Sequence, residues 1–127
     1  MTEKQIKRGD IYWYEYDGAY MSEQGGMRPC VIVSNDKANE HSPIITAVPL
    51  TSARKKHLPT HALLRIGKVS VALCEQIYSI SKDRIGDYIA TCTEKEMRWI
   101  DQCLQIQLGL WKSPELNEQR EPQQTAD

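Results

Sequence analysis

The chain has 127 residues, 40% of them hydrophobic and 26% charged, with a net charge of −1. A length of this order predicts one domain that buries about two thirds of its unfolded surface, enough for a core without disulfide or metal staples. No apolar run approaches the ~20 residues of a membrane span, and the charged stretch from Met1 to Asp10 lacks the apolar core of a signal peptide, so neither insertion nor secretion is expected.

Residues 1–7 are a polar lead, and Ile11 to Tyr16, rich in aromatic and β-branched residues, reads as a first strand. Asp17 to Met27 follows as an eleven-residue loop carrying Gly18, Gly25 and Gly26, long enough to be functional or disordered. Arg28 to Ser34 reads as a second strand, with Pro29 suited to its start. Asn35 to Ser42 is polar and turn-rich. Ile44 to Thr51 reads as a third strand, in which Pro49 predicts an edge position or a bulge. Ser52 to Thr60 is a basic loop. His61 to Ile66 and Ser70 to Ile77 read as a hairpin across Gly67-Lys68, and Arg84 to Cys92 as a last strand.

The period then changes. Thr93-Glu94-Lys95-Glu96 fits a capping box, and Met97, Ile100, Leu104 and Leu108 follow at helical spacing, with Trp99, Cys103, Ile106 and Leu110 widening the apolar face. Gly109 is placed to close this helix. Ser113 to Asp127 is polar, acidic and proline-containing, and is expected to be disordered. Five or six short strands and one terminal helix predict a mainly β fold with α: a small, strongly bent antiparallel sheet or barrel whose open end the helix covers. The domain spans 1–112 and the acidic tail 113–127.

Charge is unevenly spread. The tail beyond Lys112 has four acids and one base, so its −3 leaves residues 1–112 at +2. Between Glu40 and Glu75 no acid occurs, while Arg54, Lys55, Lys56, Arg65, Lys68, His41, His57 and His61 do. Runs of this kind usually mark only a solvated face, but they are also the footprint of an anion or nucleic-acid site. Cys30, Cys74, Cys92 and Cys103 form no C-x-x-C pair and no zinc spacing; they read as buried free thiols of a reducing cytoplasm. Trp13, Trp99 and Trp111 read as core or interface residues.

Paired glycines before Arg28 permit positive φ and close approach to a ligand, and Arg28 stands where a planar fork of donors can meet a phosphate. Thr51 and Ser52 end the third strand beside the basic loop. Taken singly, each has an ordinary structural reading: a surface ion pair for the arginine, turn closure for the hydroxyls.

The order of the pieces is more specific. Arg8-Gly9-Asp10-Ile11-Tyr12, Ser22-Glu23-Gln24-Gly25-Gly26-Met27-Arg28-Pro29, Asn35-Asp36, Pro49-Leu50-Thr51-Ser52, Leu58-Pro59-Thr60-His61, Leu73-Cys74-Glu75-Gln76-Ile77 and Lys82-Asp83-Arg84-Ile85 occur in that sequence. From about Lys7 to Trp111 the chain resembles the MazF/PemK family of toxin–antitoxin endoribonucleases. The resemblance implies a small SH3-like or CcdB-like antiparallel barrel with a C-terminal helix, a homodimer, and metal-independent cleavage of single-stranded RNA at short sequences, with no cofactor. It implies a cognate, MazE-like antitoxin as partner and no membrane. It assigns catalysis to Arg28 and Thr51. Attack by the substrate's own 2′-hydroxyl would leave a 2′,3′-cyclic phosphate and a 5′-hydroxyl. Glu23 and His61 are the candidates by type for general base, though His61 reads first as a satisfied structural or RNA-contacting imidazole. Ser22, Glu23, Gln24, Pro59, Thr60, His61 and Gln76 are the expected substrate contacts, with Tyr20 also of a suitable type, and residues 54–56 supply phosphate attraction.

The chain departs from the family pattern in the first loop, Asp17-Gly18-Ala19-Tyr20-Met21, in the short segment between His61 and Ser70, and at Tyr78, where an arginine is common. The rival expectation is a CcdB-like toxin that binds DNA gyrase and cuts nothing, which has no need of an Arg28/Thr51 pair; a third is an RNA-binding module without turnover.

Overall fold

Strand β3 (Ile44–Thr51) organises the sheet, because it changes partners along its length. The structure, a computed structural model, describes residues 5–15, 26–52 and 57–111. Most of the expected first loop, residues 53–56 of the basic loop and the acidic tail lie outside the described residues. The other elements are β1 (Asp10–Glu15), β2 (Met27–Ile32), α1 (Asp36–His41), β4 (His61–Ile66), β5 (Lys68–Leu73), β6 (Tyr78–Ser81), a 3-10 turn (Lys82–Arg84), β7 (Ile85–Thr91) and α2 (Glu94–Gln107). All described pairings are antiparallel, in the order β4-β5-β3-β2-β1-β7, with β6 also on β3.

On one side β3 pairs with β2, from Cys30 opposite Pro49 to Ile32 opposite Ala47. On the other it pairs with β6 over Ile44 to Ala47, then with β5 at Leu50 and Thr51. Pro49 is therefore neither on an edge strand nor in a bulge of the β2 ladder. It is buried in a central strand, in the interval between the β6 and β5 ladders. A residue without a backbone donor is tolerated where the ladder is already interrupted. That interruption bends the sheet into a half-barrel.

The bend buries both faces of β1, β2 and β3. Ile11, Val31, Val33, Val48 and Leu50 point into one core with Ala62 and Leu64 of β4 and Ile100 and Cys103 of α2. Tyr12, Tyr14, Cys30, Ile32, Ile45 and Ala47 point the other way, into a second core closed by Ile6, Ile80 and Ile85. Two-sided burial explains the unbroken apolar run Cys30-Val31-Ile32-Val33, where a one-sided strand would alternate with polar residues. All four cysteines are free and buried, as the sequence predicts. Burial pushes the thiols of Cys30 and Cys92 up to about 12 and raises Cys74, which shares a hydrogen bond with Cys103.

Two elements escape the sequence reading. The polar stretch after β2 is not just turn: it contains α1, started by Asn35, whose side chain accepts from the Ala38 amide at 2.8 Å. Four residues after Ile77 form β6, a separate strand from the last one. The second strand runs Met27 to Ile32 rather than to Ser34, and the hairpin turns at Gly67 alone, with Ile66 opposite Lys68.

Helix α2 begins as its sequence predicts. The Glu96 amide donates to Thr93 Oγ1 at 3.1 Å and the Thr93 amide to Glu96 Oε1 at 2.9 Å. The second Glu96 oxygen accepts from the Arg65 amide at 2.9 Å, which ties the cap to β4. At the other end Gly109 takes φ 75°, its amide bonds Ile106 O and the Leu110 amide bonds Gln105 O, the paired bonds of a Schellman closure. Arg8 holds the helix from the side: Nη2 donates to Asp101 Oδ1 at 2.7 Å and Nε to Val33 O at 2.8 Å. No described helix is long and apolar enough to cross a membrane.

Thr93→Ala removes the cap hydroxyl and lowers unfolding free energy by about 1 kcal/mol. Urea unfolding checks this: the midpoint falls while the slope stays unchanged.

Candidate active site

Gly26, at φ 85°, turns the chain into β2 through a conformation that a side chain would disfavour. Two residues later Arg28 is half-buried and stands directly opposite Tyr14 of β1. Arg28 has the parity of Cys30 and Ile32, so it belongs to the second-core face. Thr51 has the parity of Ala47 and Pro49 and belongs to the same face. The register that sets Cys30 opposite Pro49, carried two residues further, aligns Arg28 with Thr51. Extended in this way, the register sets a guanidinium and a hydroxyl side by side just past the last β2–β3 pair, at the end of β3 that pairs with β5.

The wall of this face is aromatic. Tyr14, 3% exposed, lies with its ring centroid 6.2 Å from that of Tyr78, at 45°. The Tyr78 hydroxyl donates to Gln76 Oε1 at 3.3 Å. Gln76 is exposed, in the turn that joins β5 to β6, with its amide bonded to Leu73 O at 3.0 Å.

That turn is fixed from beneath. Glu75 Oε1 accepts from Thr60 Oγ1 at 2.9 Å, and Oε2 lies 3.1 Å from His61 Nε2. The Leu58 amide donates to His61 Nδ1 at 3.3 Å. An imidazole nitrogen that accepts carries no proton, so the proton sits on Nε2 and is donated to Glu75. Both ring nitrogens are engaged and His61 is 3% exposed, so no lone pair is left for a general base. Thr60 is buried as well, whereas Pro59 and Leu58 are exposed. Of the residues expected at the site, Arg28, Thr51 and Gln76 lie on or beside one face. Thr60 and His61 are drawn into the support of the Gln76 turn. Ser22, Glu23, Gln24 and Tyr20 lie outside the described residues.

The sequence reading assigns no role to Glu75 or Tyr14. Glu75 ends a 34-residue stretch without acids that contains Thr60 and His61, and this isolation was the available signal. For Glu75, burial acts to raise the carboxyl's pKa, but its backbone bond and the His61 and Thr60 donors outweigh that and hold it below the ordinary carboxylate range. A depressed carboxyl stabilises the fold above its unfolded value, about 4.3, and the contribution is lost as pH falls through the lower folded value. Glu75→Gln is therefore expected to destabilise the protein by about 1–3 kcal/mol at pH 7. Denaturant titrations at pH 7 and pH 3 check this, because the gap between variant and wild type narrows at the lower pH.

Comparison with known proteins agrees with this architecture. Residues 7–108 match the family described as PemK-like, MazF-like toxin of type II toxin-antitoxin system. The chain is 37% identical over 111 residues to the Staphylococcus epidermidis protein named Endoribonuclease MazF, covering 83% of this chain and 92% of that one. A mycobacterial structure described as an endoribonuclease in complex with its cognate antitoxin is 30% identical, with a TM-score of 0.73 over 85% of this chain and 99% of that chain. A chain of a MazE–MazF crystal structure from Deinococcus radiodurans, 24% identical, has the same fold, with a TM-score of 0.73 over 86% of this chain and 100% of that one. With a family match over most of its length and a relative at this identity, the chain belongs to the PemK-like, MazF-like toxins of type II toxin–antitoxin systems.

Proposed function

We propose that this toxin, of an endoribonuclease family, cleaves single-stranded messenger RNA at short sequences, with Arg28 and Thr51 acting on the scissile phosphate. The observation that supports the reading is the β2–β3 register, with Cys30 opposite Pro49, which carried two residues further sets Arg28 against Thr51. The substrate's 2′-oxygen attacks phosphorus as its proton passes to a base, the bond to the 5′-oxygen breaks, and that oxygen takes up a proton. The products are a 2′,3′-cyclic phosphate and a 5′-hydroxyl. Arg28 binds the non-bridging oxygens and donates toward the departing oxygen; Thr51 donates its hydroxyl to the same phosphate. Preorganised donors of this kind contribute roughly 3–4 kcal/mol each to the barrier. An arginine is a poor base, since its pKa exceeds ~12, and His61 has both nitrogens engaged. Glu23 is the remaining candidate base by residue type. The residues named need no metal.

Recognition falls to Ser22, Glu23, Gln24, Pro59 and Gln76, with Thr60 and His61 acting through Glu75, and with Arg54, Lys55 and Lys56 attracting phosphates. The named relatives support an antitoxin partner for this chain, of MazE type: an acidic segment that orders on the basic groove. The active assembly is a homodimer in the cytoplasm. Trp99, Leu108 and Leu110 of the α2 region, all exposed in one copy, are available to it. The domain ends near residue 112, and the acidic tail is dispensable for catalysis. The relatives named above do not favour the CcdB-like, gyrase-binding alternative, which has no use for the Arg28/Thr51 pair.

The test is incubation of the purified protein with a long single-stranded RNA in EDTA, with 5′ ends mapped. Recurrent cuts at one short sequence are expected, with Arg28→Ala slowed by about 10²–10³-fold or more while remaining folded. Full activity in Arg28→Ala would overturn the site assignment. Removal of residues 113–127 is expected to leave both the urea midpoint and the cleavage rate unchanged.

A further inference from the structure

We propose that the outer face of the β4–β5 hairpin, centred on Leu63, Arg65 and Val69, docks an acidic segment of the antitoxin that carries branched apolar residues; this rests on the function proposed above. The register places this face beside the site. Thr51, the last residue of β3, is opposite Val71 of β5, and Val71 is opposite Leu63 of β4. Cross-strand partners project to the same side of a sheet. Thr51, Val71 and Leu63 therefore form one row, and Arg65 opposite Val69 forms the next row on that side. The alternate residues Ala62, Leu64 and Ala72 point into the first core. No residue of β4 or β5 belongs to the second core. The hairpin's other face is accordingly open: Leu63 is 41% and Val69 50% exposed, and Arg65 is exposed with them.

The chemistry of this face identifies its occupant. Contiguous apolar side chains on a surface mark contacts with other molecules, where single ones do not. Leu63, Val69 and Val71 offer no ring on which a base could stack, so the face suits aliphatic side chains better than RNA. The hairpin lies wholly inside the acid-free interval between Glu40 and Glu75. Arg65 forms no ion pair among the described residues, and its neighbour Glu96 is committed to the Arg65 and Thr93 amides. Carboxylates on the partner complement that charge. The bond from the Arg65 amide also closes the outer edge of β4, the last strand of the sheet, so the segment lies across the face and does not add a strand. Two strands of this length present roughly 20 Å by 10 Å, far below the ~800 Å² per partner of a stable interface. A second copy would not be held here, whereas a segment that runs on over neighbouring surface gains one anchor. The chain's own tail, 113–127, has Leu116 as its one Leu, Ile or Val and does not match. Because Thr51 begins the row, a segment held on it excludes the scissile phosphate.

The experiment selects a displayed library of random peptides on the immobilised full chain. The selected peptides are expected to be rich in Asp and Glu together with Leu, Ile and Val, and to slow RNA cleavage by the wild-type chain. Their affinity is expected to fall about tenfold or more on Leu63→Ser and on Arg65→Glu. Leu63→Ser without peptide is expected to cut RNA at the wild-type rate, and urea unfolding establishes that both variants are folded. Selected peptides that lack acids, or that bind both variants as they bind the wild type, overturn the inference. So does a dimer that dissociates in Leu63→Ser, which assigns the face to a second copy. A loss of affinity for an uncleavable 2′-deoxy analogue of the RNA in Leu63→Ser also overturns it and assigns the face to the substrate. None of these three results touches the ribonuclease reading. Absence of any cut by the wild-type chain overturns that reading, while the peptide affinities, measured without RNA, decide the docking surface separately.

Discussion

The geometry of this protein depends on β3 having two partners in succession on one side. A strand with a single neighbour on each side would extend the sheet without interruption. Here the β6 ladder stops at Ala47 and the β5 ladder starts at Leu50, and a buried proline occupies the gap. From Ala47 to Pro49, across the break, the strand keeps one register with β2, so the bend does not scramble which residues face which core. Side chains alternate with a period of two, and a slip of one residue on either strand would send Arg28 or Thr51 to the α2 side. The site is therefore a product of register held through a bend.

A second dependency runs through Glu75. The turn between β5 and β6 is short, and its position is set by one carboxylate that gathers Thr60 and His61 from the segment entering β4. The histidine works as a spacer of fixed orientation, because the Leu58 amide takes its other nitrogen. A basic, acid-free stretch thus contains one well-satisfied polar junction beneath the outer surface, and the exposed residues around it are free to face an anionic partner. Burying polar groups in this way is favourable only when each is paired, and no buried side-chain polar atom among the described residues lacks a partner.

What could be read in advance follows the range of the interactions. Helix α2 was legible in full, since its capping box, apolar period and closing glycine all lie within one local stretch. Helix α1 was missed because six residues are too few to show a period, although Asn35 followed by Asp36 is a helix-start signal. Strand β6 has only Ile80 buried, so its alternation is invisible without its partner. Pro49 was misplaced because the rule for proline in strands considers edges and bulges, and the gap that admits it here belongs to two other strands. At the site, Arg28 and Thr51 stood out through the order of motifs. Tyr14 and Glu75 did not, since their parts depend on contacts across strands and on the pairing of a carboxylate with residues 14 and 15 positions away.

The four cysteines have a practical consequence. Each is buried, and burial raises every one of the thiols, so the folded chain offers almost no thiolate to a reagent. Cys30 sits in one core, two residues from Arg28; Cys74 and Cys103 join α2 to the end of β5; Cys92 precedes the helix cap. Alkylation of each sulfur therefore waits for its own neighbourhood to open, and the four rates, resolved by mass, would form a built-in clock of local breathing. Any partner that closes over the sheet or clamps the helix would slow its own subset of these sulfurs and so sign the place where it sits.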